Sequence, residues 1–344
     1  MKIVCFTGGT LGHIMPCVIL IKEIKKRYND VQVIVCATSK DTSYEVLKSE
    51  KIDKVYYIEC SKMSKNIKSQ VENLKAYNKI KKILKEEKVE IAYGFGGYIS
   101  GIGILAAKSL KLKTYLHEQN SVMGKANKLL SKMVNKVFLS YPVKKMKKNY
   151  LLVGNPVYLN ALNVKKDIYK IKKKILFTSG TLGAKVINDL AVNLINNGYL
   201  KEYDIYIVTG KKYYDNIRNK VSSRLIHIYP FSNNLINEIA SSDIVVSRAG
   251  ASTLFEIIGT STLSIIIPSI NVTNNHQYHN AVYFKELGCI EMIEEKDLTM
   301  SNFIHKLNML NSDKDIYINN MKNYHSNKIY EHMINEVLAW VKSI

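Results

Sequence analysis

The sequence predicts an α/β protein made of two Rossmann-like domains. Short apolar, β-branched runs alternate with amphipathic helical stretches along the chain, which implies βαβ units and parallel sheets covered by helices on both faces. The opening unit also repeats: Ile3–Phe6 leads into Thr7-Gly8-Gly9-Thr10-Leu11-Gly12, and Ile175–Phe177 leads into Thr178-Ser179-Gly180-Thr181-Leu182-Gly183, with five of six turn positions identical. A length of 344 residues suits two such domains and is long for one.

In chain order, the first set of expected strands is Ile3–Phe6, Val31–Ala37, Val55–Ile58, Ile91–Tyr93, Thr114–Leu116 and Val137–Leu139. The second set is Ile175–Phe177, Ile205–Val208, Ile226–Ile228, Ile244–Val246 and Leu263–Ile267. Apolar residues at helical spacing predict helices over Pro16–Tyr28, Ile67–Leu84 and Val186–Asn196; the second, read more widely as Ser64–Lys88, is expected to carry Ile67, Val71, Leu74 and Ile83–Leu84 along one apolar side and Lys68, Lys75, Lys79 and Lys82 along a basic side. The boundary falls near Gly154-Asn155-Pro156, ahead of the lysine-rich stretch Lys165–Lys174, giving domains 1–157 and 158–319. A helix over about 320–344 is expected to return to the first domain.

Charge is distributed unevenly. The net charge is +21, and residues 1–157 carry 29 of the 50 basic side chains but only 12 of the 29 acidic ones. A basic first half points to an anionic partner, whether a membrane, a nucleic acid or a phosphorylated substrate. The five cysteines form no Cys-x-x-Cys pair and two lie in strand-like runs, as expected of reduced, buried thiols rather than disulfides or a zinc site. The chain enters a strand directly after Met1, and no apolar run approaches the roughly 18–20 residues that span a bilayer, so the expectation is no signal peptide and only peripheral membrane contact.

Five segments carry candidate chemistry. Gly8-Gly9-Thr10-Leu11-Gly12-His13 is a strand-to-helix turn whose helix, expected to begin near Ile14, offers N–H groups to an anion. His13 stands at its mouth, either as a base or as a helix cap. Gly94-Phe95-Gly96-Gly97-Tyr98 forms a second such turn in the same domain, so a diphosphate can lie between them. His117-Glu118-Gln119-Asn120 ends a parallel strand, where α/β sheets bind ligands. In the second domain, Ser247-Arg248-Ala249-Gly250-Ala251-Ser252-Thr253-Leu254-Phe255-Glu256 joins strand to helix, with small residues for a phosphate and a carboxylate for ribose hydroxyls. Asn274–Asn280 adds amide donors. The Gly8 and Gly180 turns match neither the dinucleotide fingerprint nor a P-loop, and no metal or cofactor motif stands out. Asp313-Lys314-Asp315 reads as a solvated loop.

These residues, in this order, resemble the MurG family of peptidoglycan N-acetylglucosaminyltransferases. The likeness runs through Gly8–His13, Gly94–Ser100, His117–Asn120 with Gly124 and Asn127, Gly154–Val157, Gly180–Ala184, Ser247–Glu256 and Gln277–Ala281. It implies a GT-B fold, two Rossmann-like domains whose parallel sheets face a central cleft, and inverting transfer of GlcNAc from UDP-GlcNAc, which the lack of a metal motif leads us to expect without a metal. The implied acceptor is the MurNAc 4-hydroxyl of undecaprenyl-diphospho-MurNAc-pentapeptide (lipid I), giving lipid II at the cytoplasmic face of an anionic inner membrane, with no nucleic acid involved.

By the same resemblance, Thr181 meets phosphate and Ala251, Ser252, Thr253, Leu254, Phe255 and Glu256 hold phosphate and ribose. The backbone near Ser232 reads uracil, Gln277 contacts GlcNAc, and Thr10, Leu11, Gly12 and Asn120 complete the site. His13 is the first choice for base and Glu118 the second. Three residues depart from the family pattern: Leu11 and Ser179 replace usual glycines, and Tyr158 replaces a usual arginine. Leu11 is expected to narrow its turn and restrict φ. Tyr158 is expected to remove a charge near the donor, with Arg248 or Lys185 as substitutes. Those departures leave two alternatives: a related glycosyltransferase with another lipid acceptor, and a catalytically silent sugar-nucleotide-binding membrane scaffold.

Overall fold

A computed structural model describes residues 1–28, 30–38, 43–48, 50, 52–62, 64, 66–164, 172–180, 183–221, 226–324 and 335. The chain separates into two compact units that divide between Pro156 and Val157.

The first unit holds strands β1 (Lys2–Thr7), β2 (Gln32–Ala37), β3 (Lys54–Tyr57), β4 (Ile91–Gly94), β5 (Lys113–Glu118), β6 (Lys136–Leu139) and β7 (Tyr150–Leu152). Its helices are α1 (Leu11–Arg27), α2 (Ser43–Lys48), α3 (Ile67–Glu86), α4 (Gly97–Ser109) and α5 (Lys125–Leu130). The strands form one parallel sheet in the order β3-β2-β1-β4-β5-β6-β7. Both faces are buried, which is why the strands read as continuous apolar runs. Ile3 and Cys5 of β1 pack with Ile14, Cys17, Ile21 and Ile24 of α1, whereas Val4 and Phe6 face Ile80 and Ile83 of α3 and Ile99 and Ile104 of α4.

The second unit holds α6 (Val157–Leu162), β8 (Lys173–Thr178), α7 (Lys185–Asn196), β9 (Tyr203–Val208), α8 (Tyr214–Arg218), β10 (Ile226–Tyr229), α9 (Leu235–Ala240) and β11 (Ile244–Ser247). It continues with α10 (Ala251–Gly259), β12 (Leu263–Ile266), α11 (His276–Glu286), β13 (Glu291–Met292), α12 (Met300–Ser312) and α13 (Lys314–Asn323). Its sheet is parallel too, in the order β10-β9-β8-β11-β12-β13. Numbered from its own first strand, that order is the same as that of the first six strands of the other unit.

All eleven expected strands are present, and the structure adds the short edge strands β7 and β13. Helix α1 begins at Leu11, three residues before the expected start at Ile14, and runs through Pro16. Helix α3 corrects the expected apolar side. Ala76, Ile80, Ile83 and Leu84 are buried, whereas Ile67, Val71 and Leu74 are exposed at 76%, 47% and 60%. The expected return of a helix over 320–344 rests on residues 325–334 and 336–344, which lie outside the described residues.

Candidate functional site

In each sheet the order reverses at one place, β1 against β4 and β8 against β11. Ligands of open parallel sheets bind outside the carboxyl ends of the strands at this switch point. Register brings the two turns level: Phe6 pairs with Gly94 in the first unit, and Thr178 with Ser247 in the second. The glycine-rich segments singled out in the sequence occupy these four strand ends.

In the first unit, Thr10 caps α1, and the first bonds to its carbonyl come from His13 N at 3.0 Å and Ile14 N at 3.2 Å. The amides of Leu11 and Gly12 therefore precede the helical ladder. Leu11 has no positive φ and packs against the α1-side core, so the expected restriction of the turn does not arise. His13 Nδ1 lies 3.2 Å from the Gly8 carbonyl and donates to it, which assigns Nε2 as the basic nitrogen. The imidazole rests on Gly96, whose φ is +107°, and a Cβ there would stand 2.8 Å from His13 Nε2. A Cβ on Gly97 would stand 2.6 Å from the Gly8 carbonyl oxygen, so the two turns touch.

The polar end of β5 braces this site. Gln119 donates to the Phe95 carbonyl, inside the Gly94–Gly97 turn. His117 is fully buried, its Nε2 lies 3.3 Å from the Gly154 carbonyl and 3.1 Å from Ser140 Oγ, and burial pulls its pKa down to about 4. It is neutral at physiological pH and is no proton shuttle there. Glu118 is buried and receives four N–H contacts: Asn120 N at 3.1 Å, Asn120 Nδ2 at 3.5 Å, Gly124 N at 3.0 Å and Asn127 Nδ2 at 2.9 Å. Burial raises its pKa and these donors oppose the rise. With both oxygens occupied, Glu118 shapes the loop from 118 to 127 and holds Asn120.

In the second unit, Gly250 caps α10 and the first helical bond is Leu254 N to the Gly250 carbonyl, 3.0 Å. The amides of Ala251, Ser252 and Thr253 precede that bond and form a ready anion seat. Ala251, Leu254 and Phe255 turn their side chains into the core, whereas Ser252, Thr253 and Glu256 share the half-buried face. Ser252 Oγ is buried without a hydrogen-bond partner among the described residues, and so is Ser179 Oγ after β8. Glu256 is pushed up to about 8 by burial alone, and nothing among the described residues pairs with its carboxylate.

The flanking loops are tied down. Asn280 Nδ2 donates to the Ala249 carbonyl at 3.2 Å, and Gln277 Oε1 accepts from Ser269 N at 2.9 Å. Ser232 Oγ accepts from Asn234 N at 3.3 Å in the loop after β10. Thr181 lies outside the described residues, as does Leu182.

Tyr158 packs into apolar surroundings. Its ring is fully buried against Phe255 and Tyr324, at 6.5 and 5.9 Å between centroids, and burial pushes its pKa to about 12. It is a core residue of the second unit. Of the proposed substitute cations, Lys185 is an exposed partner of Asp189 at 2.5 Å. Arg248 Nη1 lies 2.6 Å from Glu295 Oε1, an ion pair without hydrogen-bond alignment, and donates to the Ile267 carbonyl at 3.1 Å. The contacts of His117 and Glu295 escaped the sequence reading. His117 lies in the segment His117–Asn120, whose pattern assigns it no role of its own, and Glu295 carries no local signal in the sequence.

Residues 3–139 match the N-terminal domain of glycosyltransferase family 28, and residues 174–335 match its C-terminal domain. A UDP-N-acetylglucosamine–N-acetylmuramyl-(pentapeptide) pyrophosphoryl-undecaprenol N-acetylglucosamine transferase of Finegoldia magna is 31% identical over 336 residues, covering 92% of this chain and 91% of that protein. A protein of the same name from Halalkalibacterium halodurans is 32% identical and covers 87% of each. Among solved structures, Acinetobacter baumannii MurG aligns with a TM-score of 0.77 at 22% identity, covering 98% of this chain and all of that one. A Neisseria meningitidis UDP-GlcNAc 2-epimerase bound to UDP-GlcNAc aligns at 0.69 with 16% identity, covering 98% and 100%, a likeness of fold alone.

Proposed function

The chain belongs to glycosyltransferase family 28, in its MurG family, and from that premise we infer that it moves GlcNAc from UDP-GlcNAc to the MurNAc 4-hydroxyl of undecaprenyl-diphospho-MurNAc-pentapeptide. The observation that carries this reading is the identity of 31–32% to transferases of that name across nearly the whole chain. The turn and carboxylate chemistry at both switch points suits it.

The donor is assigned to the second unit. The diphosphate sits on the amides of Ala251, Ser252 and Thr253, with Ser252 Oγ and Ser179 Oγ as further donors. Glu256 accepts the ribose hydroxyls, Gln277 approaches the GlcNAc, and the backbone near Ser232 meets uracil. Thr181 is proposed as a phosphate contact. As the glycosidic bond breaks, charge collects on the departing UDP, and the α10 N-terminus stabilises it without reorganising.

The first unit holds the acceptor and the base. Nε2 of His13 takes the proton from the MurNAc 4-hydroxyl as its oxygen attacks the anomeric carbon from the side opposite UDP, which inverts configuration. Thr10, Leu11 and Gly12 offer backbone N–H groups, and Asn120 an amide. Glu118 positions Asn120 rather than serving as the base, since its oxygens already accept from Asn120, Gly124 and Asn127. Leu11 and Tyr158, the departures that suggested a different acceptor, both pack into apolar surroundings.

The acceptor's lipid implies a membrane surface. Among the described residues no helix is long and apolar enough to cross one. Exposed Ile67, Val71 and Leu74 on α3, beside exposed Lys68, Lys75, Lys79 and Lys82, suit a peripheral seat on an anionic leaflet.

The test is turnover of UDP-GlcNAc with a soluble lipid I analogue. Formation of the disaccharide product with release of UDP is expected. Binding of UDP-GlcNAc without any transfer would support the silent scaffold instead.

A further inference from the structure

The diphosphate of a UDP-sugar carries two negative charges, and among the described residues Arg248 is the cation built into the turn that leads to α10. Its side chain is only 12% exposed, so its orientation is set by the protein rather than by water. One nitrogen does all the anchoring: Nη1 donates to the Ile267 carbonyl at 3.1 Å and lies 2.6 Å from Glu295 Oε1. The Nε and Nη2 donors of the same guanidinium have no partner among the described residues. Neither is buried without a partner, so both stand open to solvent at the strand ends, where a ligand can meet them.

Glu295 opens the short turn after β13, and Ile267 directly follows β12. Arg248 thus links the carboxyl ends of three neighbouring strands, β11, β12 and β13. Asn280 holds the next residue, Ala249, through its carbonyl. The turn is fixed from two sides, and the guanidinium is held by one edge with its other edge unspent.

We propose that Glu295 is a positioning residue of the donor site, holding Arg248 by Nη1 so that the Nε and Nη2 edge receives the donor's diphosphate. The proposal rests on the donor reading given above. Arg248 is the residue that touches the ligand. Glu295 acts through it and sets its direction, while the Ile267 carbonyl fixes its depth.

The test compares UDP with uridine on the full chain, by calorimetry and ligand-observed NMR. Glu295→Ala should weaken UDP binding about tenfold, the worth of one charge-assisted hydrogen bond from the guanidinium to the diphosphate, and leave uridine unchanged. Glu295→Gln keeps an oxygen for Nη1 and should retain UDP affinity. In an Arg248→Ala background, Glu295→Ala should cost nothing further, because the two act as one unit. A merely structural role would weaken uridine and UDP alike. That result, an unchanged UDP affinity in Glu295→Ala, or equal losses in the Ala and Gln variants, would overturn the proposal. Glu256→Ala separates the two levels of the argument: it should weaken both ligands. If it weakens neither, the donor reading fails and this proposal with it. Failure of Glu295→Ala alone overturns only the positioning role.

Discussion

Glu256 enters the reaction cycle with a pKa near 8, so at neutral pH the empty site holds mostly the protonated acid. In the proposed complex, ribose hydroxyls donate to the carboxylate and favour its charged form, which lowers the pKa. Binding therefore releases a proton, and donor affinity should rise with pH and level off above about 8. Calorimetry at pH 7 in buffers of different ionisation enthalpy should detect that proton; a buffer-independent heat would contradict the assignment. Glu256→Ala removes charge-assisted bonds worth roughly 1.5–3 kcal/mol each, so UDP-GlcNAc should bind at least tenfold more weakly. Gly96 makes the matching case in the first unit. Gly96→Ala sets a Cβ against the His13 ring at a φ of +107°, which L-residues resist. Transfer should fall by about tenfold or more, a displacement effect on the proposed base, while UDP affinity measured separately stays unchanged. The two carboxylates differ in legibility. The place of Glu256 in a strand-turn-helix, on which its proposed ribose role rests, was readable in the sequence, but the four N–H contacts of Glu118 were not, because Gly124 and Asn127 reach it only once the loop is folded.

Helices and strands were legible to the degree that they were long enough to show a period. The strands of both sheets announced themselves by β-branched runs, whereas β7 and β13, of three and two residues, are too short to carry one. Helix α1 was placed late because Pro16 reads as a helix start. In the structure it sits inside the helix, lacking only its bond to the Gly12 carbonyl, and the fold tolerates that loss beside a glycine. On α3 the apolar residues were identified correctly but their shared face was not. The second half packs on the sheet and the first half leaves Ile67, Val71 and Leu74 in the open. Charge reversal at Lys75, Lys79 and Lys82 should weaken binding to anionic vesicles by at least about 1 kcal/mol per lysine, more at low salt, and spare turnover of a soluble acceptor. Equal binding of the unaltered protein to neutral and anionic vesicles would contradict this. Packing of α6 on α10 gives a further expectation. Tyr158→Arg places a charge among Phe255, Phe284 and Tyr324 and should cost about 3 kcal/mol or more, seen as a lower midpoint in urea rather than as improved donor binding.

Each unit has its own sheet and its own apolar interior, as expected of domains that melt separately. Scanning calorimetry should resolve two transitions, and UDP at about a hundred times its dissociation constant should stabilise one by about 2.7 kcal/mol while leaving the other in place. A single transition, or an equal shift of both, would count against the donor assignment to the second unit. The shared strand order has a consequence for synthesis on the ribosome. In both sheets the central strand comes first in the chain, so β1 waits for β4 and β8 waits for β11 before its second edge is covered. During that interval a bare strand edge is available to any neighbouring nascent chain. The last strand of the first sheet ends at Leu152, before the second unit begins at Val157. The first sheet can close while the rest of the polypeptide is still being translated, so the open edge of β1 need not coincide with that of β8.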